Sequence, residues 1–485
     1  MKLLSDLMET SCKPIEILGL ASDSREVLPG YLFAAFDGND TSGSKFIPDA
    51  INRGAVAVLS DKSIVRNQYN AHIITDDNPR LKFAKIVSRF YDKQPEWICA
   101  VTGTNGKTSV SSFTIQIWKK LNKKSSSIGT LSFGESKNIS NLKSSLTTPD
   151  ALTLHKILEE KYESGVTHAI IEASSHGLHQ FRLDGINCKS AAFTNLSHDH
   201  LDYHNSIEEY FLAKERLFSE VVMDNGSVIL NRDSEEFDRL FNLAKKRKLS
   251  VITYGIHKNS DLCLISTEPH NCGQKIKVKI FDNEYSILFP IYGNYQSLNA
   301  LCALGLVISS GGNISDATDA LGHLEGVPGR LDLAIQLPNR AKIFVDYAHT
   351  PAALKYALLA LREHTKGRII IVFGCGGDRD VSKRLAMGKI ANQYADRVYI
   401  TDDNPRSENP QKIRELILKG CPSGIEIDDR RKAIQAAIKN LDPGDVMIVA
   451  GKGHETGQLI GKKYRPFNDI VEVKRAASML GESLV

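Results

Sequence analysis

Residues 97–121 have the residue types and spacing that bind the phosphates of a nucleotide. An apolar run, Trp97–Val101, leads into Thr102–Ser109 (TGTNGKTS), and a helical pattern follows over Val110–Leu121. Glycines let backbone N–H groups turn toward phosphate oxygens, and the start of the helix adds partial positive charge. We therefore predict a phosphate loop in which Lys107 reaches the β- and γ-phosphates and the Thr108 hydroxyl holds Mg²⁺.

The loop departs at one position from the general pattern GxxxxGK[ST], because Val101 stands where that pattern has its first glycine. The alternative is a glycine turn with a chance lysine, but the strand before the loop and the helix after it favour phosphate binding. The loop indicates a nucleoside triphosphate and nothing more specific, since switches, motors and ligases share it.

A second group of polar side chains follows two later apolar runs. Glu172 ends the run His168–Glu172, and the end of a strand beside a phosphate loop is where a Mg²⁺ ligand is expected. Residues 198–204 (HDHLDYH) hold three histidines and two aspartates. Their spacing matches no closed zinc site, and no cysteine joins them. We interpret one histidine as completing an oxygen-rich Mg²⁺ shell; solvent-exposed or helix-capping histidines are the alternative.

The elements that must position these residues are short apolar runs, separated by longer amphipathic stretches. Uniformly apolar strands are typical of a parallel sheet with helices on both faces, so the pattern predicts an α/β fold. The predicted strands include Ala55–Leu59, Trp97–Val101, His168–Glu172, Lys342–Asp346, Arg368–Phe373, Arg397–Thr401 and Asp445–Ala450. Residues 261–290 alternate polar and apolar side chains and predict a β-rich insertion.

Length and two breaks in this pattern predict three domains. At ~150 residues per domain, a chain of 485 residues holds about three. The breaks fall near Gln94-Pro95 and at residues 327–330 (VPGR), which gives domains of residues 1–95, 96–330 and 331–485.

The composition argues against several classes of function. The 61 basic and 57 acidic residues leave a net charge of +4, so neither a nucleic-acid binder nor a membrane-surface binder is indicated. The eight cysteines form no CxxC pair, and the N-terminus lacks a signal-peptide pattern. No apolar stretch reaches the ~18 residues of a membrane span. We expect a soluble intracellular protein with free thiols.

One heptapeptide, ITDDNPR, occurs twice, at Ile74–Arg80 and at Ile400–Arg406. Asp-Asn-Pro favours turns wherever it occurs, so coincidence at two strand exits is the alternative to a shared role. The flanking sequences are unrelated, which argues against duplicated domains.

Taken together, these motifs resemble those of the Mur ligase family along essentially the whole chain. Gly103–Thr108 reproduces the GTNGKT loop of that family, which explains the missing glycine at Val101. The other matching segments are residues 23–25 (DSR), 29–33 (PGYLF), 147–149 (TTP), 172–178 (EASSHGL), 195–204 (NLSHDHLDYH), 346–351 (DYAHTP), 373–380 (FGCGGDRD) and 450–455 (AGKGHE).

The resemblance implies three α/β domains: an N-terminal one for a UDP moiety, a central P-loop ATPase and a C-terminal Rossmann-like domain for an incoming amino acid. The matches point to the branch that adds the third peptide residue to UDP-N-acetylmuramoyl-L-alanyl-D-glutamate in peptidoglycan precursor synthesis. In the implied reaction, ATP phosphorylates the D-glutamate carboxyl group, and the amino acid attacks the acyl phosphate, with Mg²⁺ as cofactor. Such an enzyme is expected in the cytoplasm as a monomer.

The resemblance also implies roles for individual residues. Those expected to bind ATP are Gly103, Thr104, Asn105, Gly106, Lys107, Thr108, Asn299, Arg330 and Asp346. Those expected to bind the UDP-linked substrate are Ser24, Thr147, Thr148, Ser174, Gln180 and Arg182. The expected metal ligands are Thr108, Glu172, His200 and a carbamylated Lys214, and the expected catalytic residues are Lys107, Lys214 and His200. Residue type alone predicts an exposed helix lysine at Lys214, whereas carbamylation would give it a carboxylate.

The third residue of the peptide is usually meso-diaminopimelate or L-lysine. Diaminopimelate carries an extra carboxylate, and an arginine fork is its natural partner. The second heptapeptide copy matches the family motif that binds diaminopimelate, which implies contacts from Asp403, Asn404, Pro405, Arg406, Arg379, Gly451 and Glu455. The family has no such motif at the first copy, Asp77–Arg80, which we interpret as incidental. Diaminopimelate is therefore favoured over lysine.

Three other functions remain open at this point. A lysine-adding ligase would share every feature except the carboxylate-binding arginine. A folylpolyglutamate-type ligase shares the ATPase core but would not explain the UDP-type domain. A P-loop switch would hydrolyse ATP without a UDP-linked peptide.

Overall fold

The computed structural model of the protein describes residues 1–9, 14–38, 42–64, 69–131, 146–200 and 203–482. Within these ranges the chain forms three open sheets that follow one another along the sequence, and helices pack on them. The predicted α/β class is therefore confirmed.

The N-terminal sheet has four parallel strands in the order β3-β4-β5-β6. The strands up to this point are β1 (Lys2–Leu3), β2 (Glu16–Ile17), β3 (Gly19–Ala21), β4 (Tyr31–Ala34), β5 (Ala57–Ser60) and β6 (His72–Thr75), with β1 and β2 forming a separate antiparallel pair. The helices are α1 (Leu4–Met8), α2 (Ile47–Asn52) and α3 (Pro79–Phe90). Alternate side chains of β4 and β5 enter two cores on opposite faces, so helices cover both faces of the sheet.

The central sheet has nine strands in the order β15-β14-β13-β12-β11-β10-β7-β9-β8. They are β7 (Trp97–Thr102), β8 (Ser125–Ile128), β9 (His168–Glu172), β10 (Cys188–Phe193), β11 (Val222–Asn231), β12 (Ser250–Gly255), β13 (Leu262–His270), β14 (Gly273–Ile280) and β15 (Asn283–Phe289). The pairs from β8 to β13 are parallel, and β13, β14 and β15 pair antiparallel. The β-rich segment predicted at residues 261–290 is confirmed, and it extends the sheet.

Seven helices accompany the central sheet in the described ranges. They are α4 (Lys107–Lys120), α5 (Ala151–Glu163), α6 (Ser175–His179), α7 (Ile207–Arg216), α8 (Phe237–Lys246), α9 (Asn294–Ser309) and α10 (Ile314–Asp319). Helix α9 is apolar around most of its circumference, and its side chains share one core with α4 and strands β7 to β15. A helix of this composition is stable only when it is buried, so α9 fixes the position of α4 on the sheet.

The C-terminal sheet has six strands in the order β16-β17-β21-β18-β19-β20, and β16 alone of these runs antiparallel to its neighbour. The strands are β16 (Asp332–Gln336), β17 (Lys342–Asp346), β18 (Ile369–Phe373), β19 (Arg397–Ile400), β20 (Ile425–Glu426) and β21 (Val446–Ala450), followed by the hairpin β22 (Gly457–Ile460) and β23 (Lys463–Pro466). The helices are α11 (Pro351–Glu363), α12 (Ser382–Tyr394), α13 (Pro410–Leu418), α14 (Arg430–Lys439) and α15 (Asp469–Glu482).

The seven predicted strands are confirmed to within two residues at either end. The predicted start of α4 is wrong by three residues: the helix begins at Lys107, because Gly106 precedes it in a left-handed conformation. No helix of the described ranges is long and apolar enough to cross a membrane.

The strand orders bring the sequence motifs together at the carboxyl ends of neighbouring strands in two sheets. In the central sheet β7 lies between β9 and β10, with Val101 opposite Glu172 and Thr102 opposite Phe193. In the C-terminal sheet β17, β21, β18 and β19 are consecutive neighbours. The segments after these strands, which carry the motifs, therefore begin side by side, as ligand-binding segments do in open α/β sheets.

Candidate active site

The phosphate loop joins β7 to α4, and two of its glycines take conformations that side chains disfavour. Gly103 has a φ of 146° and Gly106 a φ of 89°. A Cβ atom at Gly103 would lie 1.9 Å from the hydroxyl oxygen of Thr194, and one at Gly106 would lie 2.5 Å from the side-chain oxygen of Asn299. The loop therefore needs glycine at both positions, and it brings Asn299, one of the predicted ATP ligands, against Gly106.

The segment that follows β10 holds the phosphate loop in place. The Thr104 N–H donates to the carbonyl of Asn195 at 2.8 Å, and the Asn105 N–H donates to the side-chain oxygen of Asn195 at 3.0 Å. The Thr194 hydroxyl donates to the carbonyl of Asn105 at 2.6 Å. Thr194 and Asn195, which precede the histidine-rich segment of residues 198–204, thus shape the loop. The sequence did not indicate this role.

A half-buried lysine and a buried lysine donate to the same carbonyl of the loop. Lys107 Nζ lies 2.8 Å from the Gly103 carbonyl oxygen and Lys214 Nζ lies 3.0 Å from it. Lys214 is 1% exposed, and its amine lies 4.3 Å from the ring centroid of Tyr210. Burial, together with the charge of Lys107, holds the pKa of Lys214 well below its usual value. The prediction from residue type that Lys214 is exposed is therefore wrong.

Glu172 lies at the end of β9, next to the start of α4. Its carboxylate accepts a hydrogen bond from the Thr108 hydroxyl at 3.0 Å, and from the N–H and hydroxyl of Thr130 at 3.0 Å and 3.1 Å. Glu172 is 2% exposed. Two of the predicted metal ligands, Thr108 and Glu172, are thus in direct contact, and Thr130 joins them.

His200 lies in a cluster of aromatic rings and imidazoles. Its φ is 54°, and its Nε2 lies 3.6 Å from a carboxylate oxygen of Asp199. Its ring centroid lies 5.0 Å from that of His176 and 6.0 Å from that of Tyr210, which also contacts Lys214. Burial lowers the pKa of His200 to about 4, so its imidazole is neutral near pH 7.

The predicted metal shell is only partly assembled in the side-chain contacts. Among the residues that the structure describes, His200 makes no hydrogen bond or ion pair with Glu172 or Lys214. In the same residues no group of three or more His, Cys, Asp or Glu side chains is placed to hold a metal ion. Leu201 and Asp202 of the histidine-rich segment lie outside the described residues. The metal ligands stay a prediction.

Arg330 connects the phosphate loop to the C-terminal sheet. Its guanidinium donates to the Thr108 hydroxyl at 3.2 Å and lies 4.4 Å from the ring centroid of Tyr347. Asp346, at the end of β17, accepts from the N–H groups of Leu331 and Ala348. Burial raises the pKa of Asp346 to about 6, although the charge of Arg330 opposes the shift. Arg330 and Asp346, both predicted ATP ligands, thus lie at one junction.

Thr148 and Ser174 form the start of the predicted substrate site. Thr148 is fully buried; its hydroxyl donates to the Glu172 carbonyl at 2.7 Å and accepts from the Ser174 N–H at 2.9 Å. The Ser174 hydroxyl accepts from the Gly177 N–H and so caps α6. The predicted substrate site is therefore joined directly to the carbonyl of the predicted metal ligand Glu172. Thr147 is the preceding residue and is half-buried.

Arg182 and Gln180 continue this network. The Arg182 guanidinium donates to the carbonyl of Thr148 at 2.6 Å and to the side-chain oxygen of Gln180 at 2.7 Å. The Gln180 amide donates to the hydroxyl of Tyr203 at 3.1 Å. Ser24, the other predicted substrate ligand, is buried beside the N-terminal sheet and forms no hydrogen bond with this network in the described part of the chain.

The segment after β19 meets the segment after β21 through a fully buried lysine. Lys452 is 0% exposed, and its Nζ donates to the side-chain oxygen of Asn404 at 3.0 Å and to the Glu455 carboxylate at 2.6 Å. The Asn404 amide donates to the same carboxylate at 2.9 Å. A Cβ atom at Gly451 would lie 2.6 Å from a carboxylate oxygen of Asp403. Four predicted amino-acid ligands therefore form one unit, and Lys452, which the sequence did not single out, joins them.

Arg406 is fixed by its backbone and by one of its five N–H donors. Its φ is 50°, and its N–H donates to the Leu459 carbonyl at 3.0 Å. Its guanidinium donates to the Gly377 carbonyl at 2.7 Å and would lie 2.8 Å from a Cβ at Gly376. The described residues supply no carboxylate within ion-pair distance of it. Arg379 is exposed on the loop that contains these glycines.

Comparison with known families covers most of the chain. Residues 16–100 match the Mur ligase family, catalytic domain, residues 101–307 the Mur ligase middle domain, and residues 329–453 the Mur ligase, glutamate ligase domain. The chain belongs to the Mur ligase family. Apart from the first residues of β7, each matched segment of this Mur ligase contains one of the three sheets, so the predicted fold of three α/β domains is confirmed.

Several relatives match this Mur ligase over nearly its full length. It is 44% identical over 467 residues to UDP-N-acetylmuramoyl-L-alanyl-D-glutamate--2,6-diaminopimelate ligase of Bradyrhizobium diazoefficiens, covering 95% of each chain. The protein of the same name from Brucella melitensis biotype 1 is 44% identical over 484 residues, which are 99% of this chain and 98% of that protein.

Solved structures show the same architecture. A structure of UDP-N-acetylmuramoyl-L-alanyl-D-glutamate--2,6-diaminopimelate ligase matches with a TM-score of 0.71 and 31% identity, covering 99% of both chains. The MurF ligase of Thermotoga maritima in complex with ADP matches with a TM-score of 0.64 at 18% identity over 100% of both chains, which shows the fold alone.

The Mur ligase motifs explain most of what the geometry assembles, but not every contact. Thr130, Asn195, Tyr203 and Lys452 complete the networks described above and had been missed as functional residues. A lysine between two glycines, directly after an apolar strand, is a sequence signal that could have pointed to Lys452. The structure then shows that this lysine is buried, which is rare unless a lysine is paired. The other three have residue types that carry no such signal.

Proposed function

We propose that this Mur ligase joins meso-2,6-diaminopimelate to UDP-N-acetylmuramoyl-L-alanyl-D-glutamate, with conversion of ATP to ADP and phosphate, in peptidoglycan precursor synthesis. The observation that carries the proposal is the likeness, over nearly the whole chain, to proteins that bear the corresponding name. The guanidinium of Arg406, which has no carboxylate partner among the described residues, supports diaminopimelate as the amino acid.

Each of the three domains has its own binding role in this proposal. Residues 1–95 bind the UDP moiety with Ser24, residues 96–330 bind ATP and the peptide end of the acceptor, and residues 331–485 bind diaminopimelate. The positions of the three sheets along the chain support this division. The active unit in this proposal is a monomer. ATP and a UDP-linked precursor as substrates favour the cytoplasm.

The first step is attack of a D-glutamate side-chain carboxylate oxygen on the γ-phosphorus of ATP, which forms an acyl phosphate and releases ADP. Positioning and neutralisation of charge supply most of the catalysis in such transfers. Lys107 is already at the loop, where it donates to Gly103 and Thr104, and it would exchange these carbonyls for phosphate oxygens. Asn299, Arg330 and Asp346 bind the rest of the nucleotide.

The oxygen atoms beside α4 fit a magnesium ion. The Thr108 hydroxyl and the Glu172 carboxylate are hard oxygen ligands that already touch each other. A bound Mg²⁺ would neutralise charge on the phosphates during transfer. Lys214 is buried, without a carboxylate partner in the described ranges, and burial lowers the pKa of its amine well below the usual value. These are the conditions for carbamylation, which would give the metal another oxygen ligand. His200 would be a further ligand, through a ring nitrogen.

In the second step the amino group of diaminopimelate attacks the acyl carbon and phosphate leaves. Arg406 binds the distant carboxylate with its free donors, and Arg379 contributes from the neighbouring loop. The carboxylates of Asp403 and Glu455 and the side chain of Asn404 hold the distant amino group. Gly451 leaves room for Asp403, and Pro405 fixes the backbone between Asn404 and Arg406.

The test is phosphate release by the purified protein with ATP, the UDP-linked dipeptide and either meso-diaminopimelate or L-lysine. We expect release only with all three substrates, and a much higher kcat/KM for diaminopimelate. Phosphate release without the UDP-linked dipeptide would favour a P-loop switch. Preference for lysine would refute the proposed role of Arg406. Activity with a folate substrate would refute the UDP-linked dipeptide as the acceptor.

A further inference from the structure

The two copies of the heptapeptide ITDDNPR take different conformations. In the first copy, the Asn78 side chain accepts from the Leu81 N–H at 3.1 Å and caps α3, so that Arg80 is a helical residue. In the second copy, Arg406 has a left-handed φ of 50°, and the next helix, α13, begins at Pro410. The backbone around Arg406 is not helical, so its position depends on contacts with other segments.

The segment that contacts Arg406 is the glycine loop, residues 374–380, which follows β18. The Gly377 carbonyl accepts from the Arg406 guanidinium at 2.7 Å, and the Gly377 N–H donates to the Asn404 carbonyl at 2.9 Å. A Cβ atom at Gly377 would lie 2.0 Å from the Pro405 carbonyl oxygen, so the two backbones touch. The orientation of the Arg406 guanidinium therefore follows the position of the glycine loop.

An ion pair with a buried arginine joins the glycine loop to the residues after Arg406. Arg384, in the first turn of α12, is 1% exposed, and its guanidinium donates to the two carboxylate oxygens of Glu408 at 2.8 Å and 2.9 Å. The same guanidinium donates to the Gly376 carbonyl at 3.3 Å. The Glu408 carboxylate also accepts from the Asp378 N–H. Arg384 therefore binds both segments at once, through a planar fork that lysine lacks.

A second carboxylate, that of Asp378 in the glycine loop, is also engaged. It accepts from the Ser407 N–H at 3.1 Å and from the Ser407 hydroxyl at 2.6 Å. The hydrogen bond from this hydroxyl lowers the pKa of Asp378, and the hydrogen bonds from Arg384 lower the pKa of Glu408, so both carboxyl groups are ionised near pH 7. Each of these carboxylates accepts from donors other than Arg406.

The pairing of Glu408 with Arg384 bears directly on Arg406. Glu408 follows Arg406 by two residues, and a Cβ atom at Gly377 would lie 3.2 Å from a side-chain atom of Glu408, so both side chains contact the same glycine. A bidentate pair between a guanidinium and a carboxylate is strong, and it keeps Glu408 engaged. Without Arg384, an ionised carboxylate would lose its charged partner close to the Arg406 fork.

We propose that Arg384 and Glu408 are positioning residues of the diaminopimelate site. Their ion pair holds the glycine loop against residues 404–408, and it keeps the Glu408 carboxylate engaged, so that Arg406 retains its donors for the distant carboxylate of the amino acid. The inference rests on the proposed function and adds two residues to it, both of which act through Arg406 rather than on the substrate.

The main test replaces Arg384 with methionine, which is apolar and unbranched, and measures kcat and KM for each substrate. We expect Arg384→Met to raise KM for diaminopimelate by about tenfold, because the glycine loop loses its anchor and Glu408 competes for Arg406. KM for ATP and for the UDP-linked dipeptide should stay the same. The matched control is Arg431→Met: Arg431 forms a bidentate pair with Glu472 in the same domain, at 2.8 Å and 2.9 Å, and its loss should not change any KM.

A double substitution separates positioning from a general loss of stability. Arg384→Met combined with Glu408→Gln removes the anchor and the competing charge together, so its KM for diaminopimelate should be about threefold lower than that of Arg384→Met. A role in stability alone would lower Tm and leave this KM unchanged. A double variant whose KM for diaminopimelate equals or exceeds that of Arg384→Met would overturn the inference.

Two milder variants keep the inference testable if Arg384→Met is unfolded. Arg384→Lys keeps the charge but not the fork, and Glu408→Gln keeps an acceptor but not the charge, so each should raise KM for diaminopimelate by about threefold. An unchanged KM in both variants would overturn the inference. Absence of ligation by the parent protein would instead overturn the proposed function, so the two failures are distinguishable.

Discussion

At the scale of single residues, binding of the distant carboxylate of diaminopimelate depends more on the geometry of the Arg406 guanidinium than on its charge. Arg406 is anchored by one donor to the Gly377 carbonyl, and its remaining donors form a planar fork. Lysine at this position would keep the positive charge but would offer a single ammonium to the carboxylate of diaminopimelate. The two residues are therefore not equivalent here.

We expect Arg406→Lys to raise KM for diaminopimelate by about tenfold or more, with little change in kcat, because one of two charge-assisted hydrogen bonds is lost. KM for ATP should stay the same. Steady-state kinetics with each substrate varied in turn is the measurement. Arg397→Lys, the same change at the other end of β19, is the control. A KM that is equal in both variants would contradict the role of Arg406.

Burial of Asp346 should make the free energy of unfolding depend on pH. Its folded pKa of about 6 lies above the ordinary value of 3.8, so the folded state binds a proton that the unfolded state has lost. Its contribution to stability is fully present below the ordinary value and is lost as the pH rises through about 6.

Between about pH 4.5 and pH 7, this titration should lower the free energy of unfolding by about 2 kcal/mol. Asp346→Asn, which cannot titrate, should lack this part of the pH dependence, while the exposed Asp319→Asn should keep it. Urea unfolding at the two pH values is the measurement. Identical pH dependence in the parent and in Asp346→Asn would show that the carboxyl titrates normally.

At the scale of elements, the amino-acid site depends on a contact between the segments after β19 and β21. Lys452 makes this contact from a fully buried position, where it holds Asn404 and Glu455 in a fixed geometry. Its charge is matched by the Glu455 carboxylate, so it acts as a positioning residue rather than as a ligand of the substrate.

We expect Lys452→Met to raise KM for diaminopimelate by roughly tenfold, because Asn404 and Glu455 lose their common partner. KM for ATP should be unaffected, which a general loss of folded protein would not produce. The control is Lys389→Met, at an exposed position of α12 in the same domain. If both variants have the parent's KM for diaminopimelate, Lys452 has a structural role alone.

At the scale of the whole molecule, the reaction requires three sheets to act on one reacting centre. Arg330 is one of the side chains that contact two of them, since it donates to Thr108 and lies on the ring of Tyr347 after β17. A nucleotide bound at the loop would lie beside this contact. Closure around the substrates would also protect the acyl phosphate from water.

We expect Arg330→Gln to raise KM for ATP by about tenfold, because a charged donor near the phosphates is lost. We also expect ATP to decrease the radius of gyration in solution scattering, and this decrease should be smaller in Arg330→Gln than in the parent. Arg340→Gln, in an exposed turn of the same domain, should change neither quantity. An unaltered ATP-dependent compaction would show that Arg330 does not couple the two domains.

The phosphate loop, the α/β class, the seven strands and the family could all be determined from the sequence, because glycine positions, apolar runs and ordered motifs are local properties of the chain. The sequence could not show that Lys214 is buried beside Lys107, since residue type predicts an exposed lysine and only packing against the loop removes it from water. Nor could it distinguish the two copies of ITDDNPR. Their conformations differ because the first precedes a helix and the second bridges two sheet segments. The tertiary structure alone places Lys452 against Asn404, because this contact joins residues from separate strand exits.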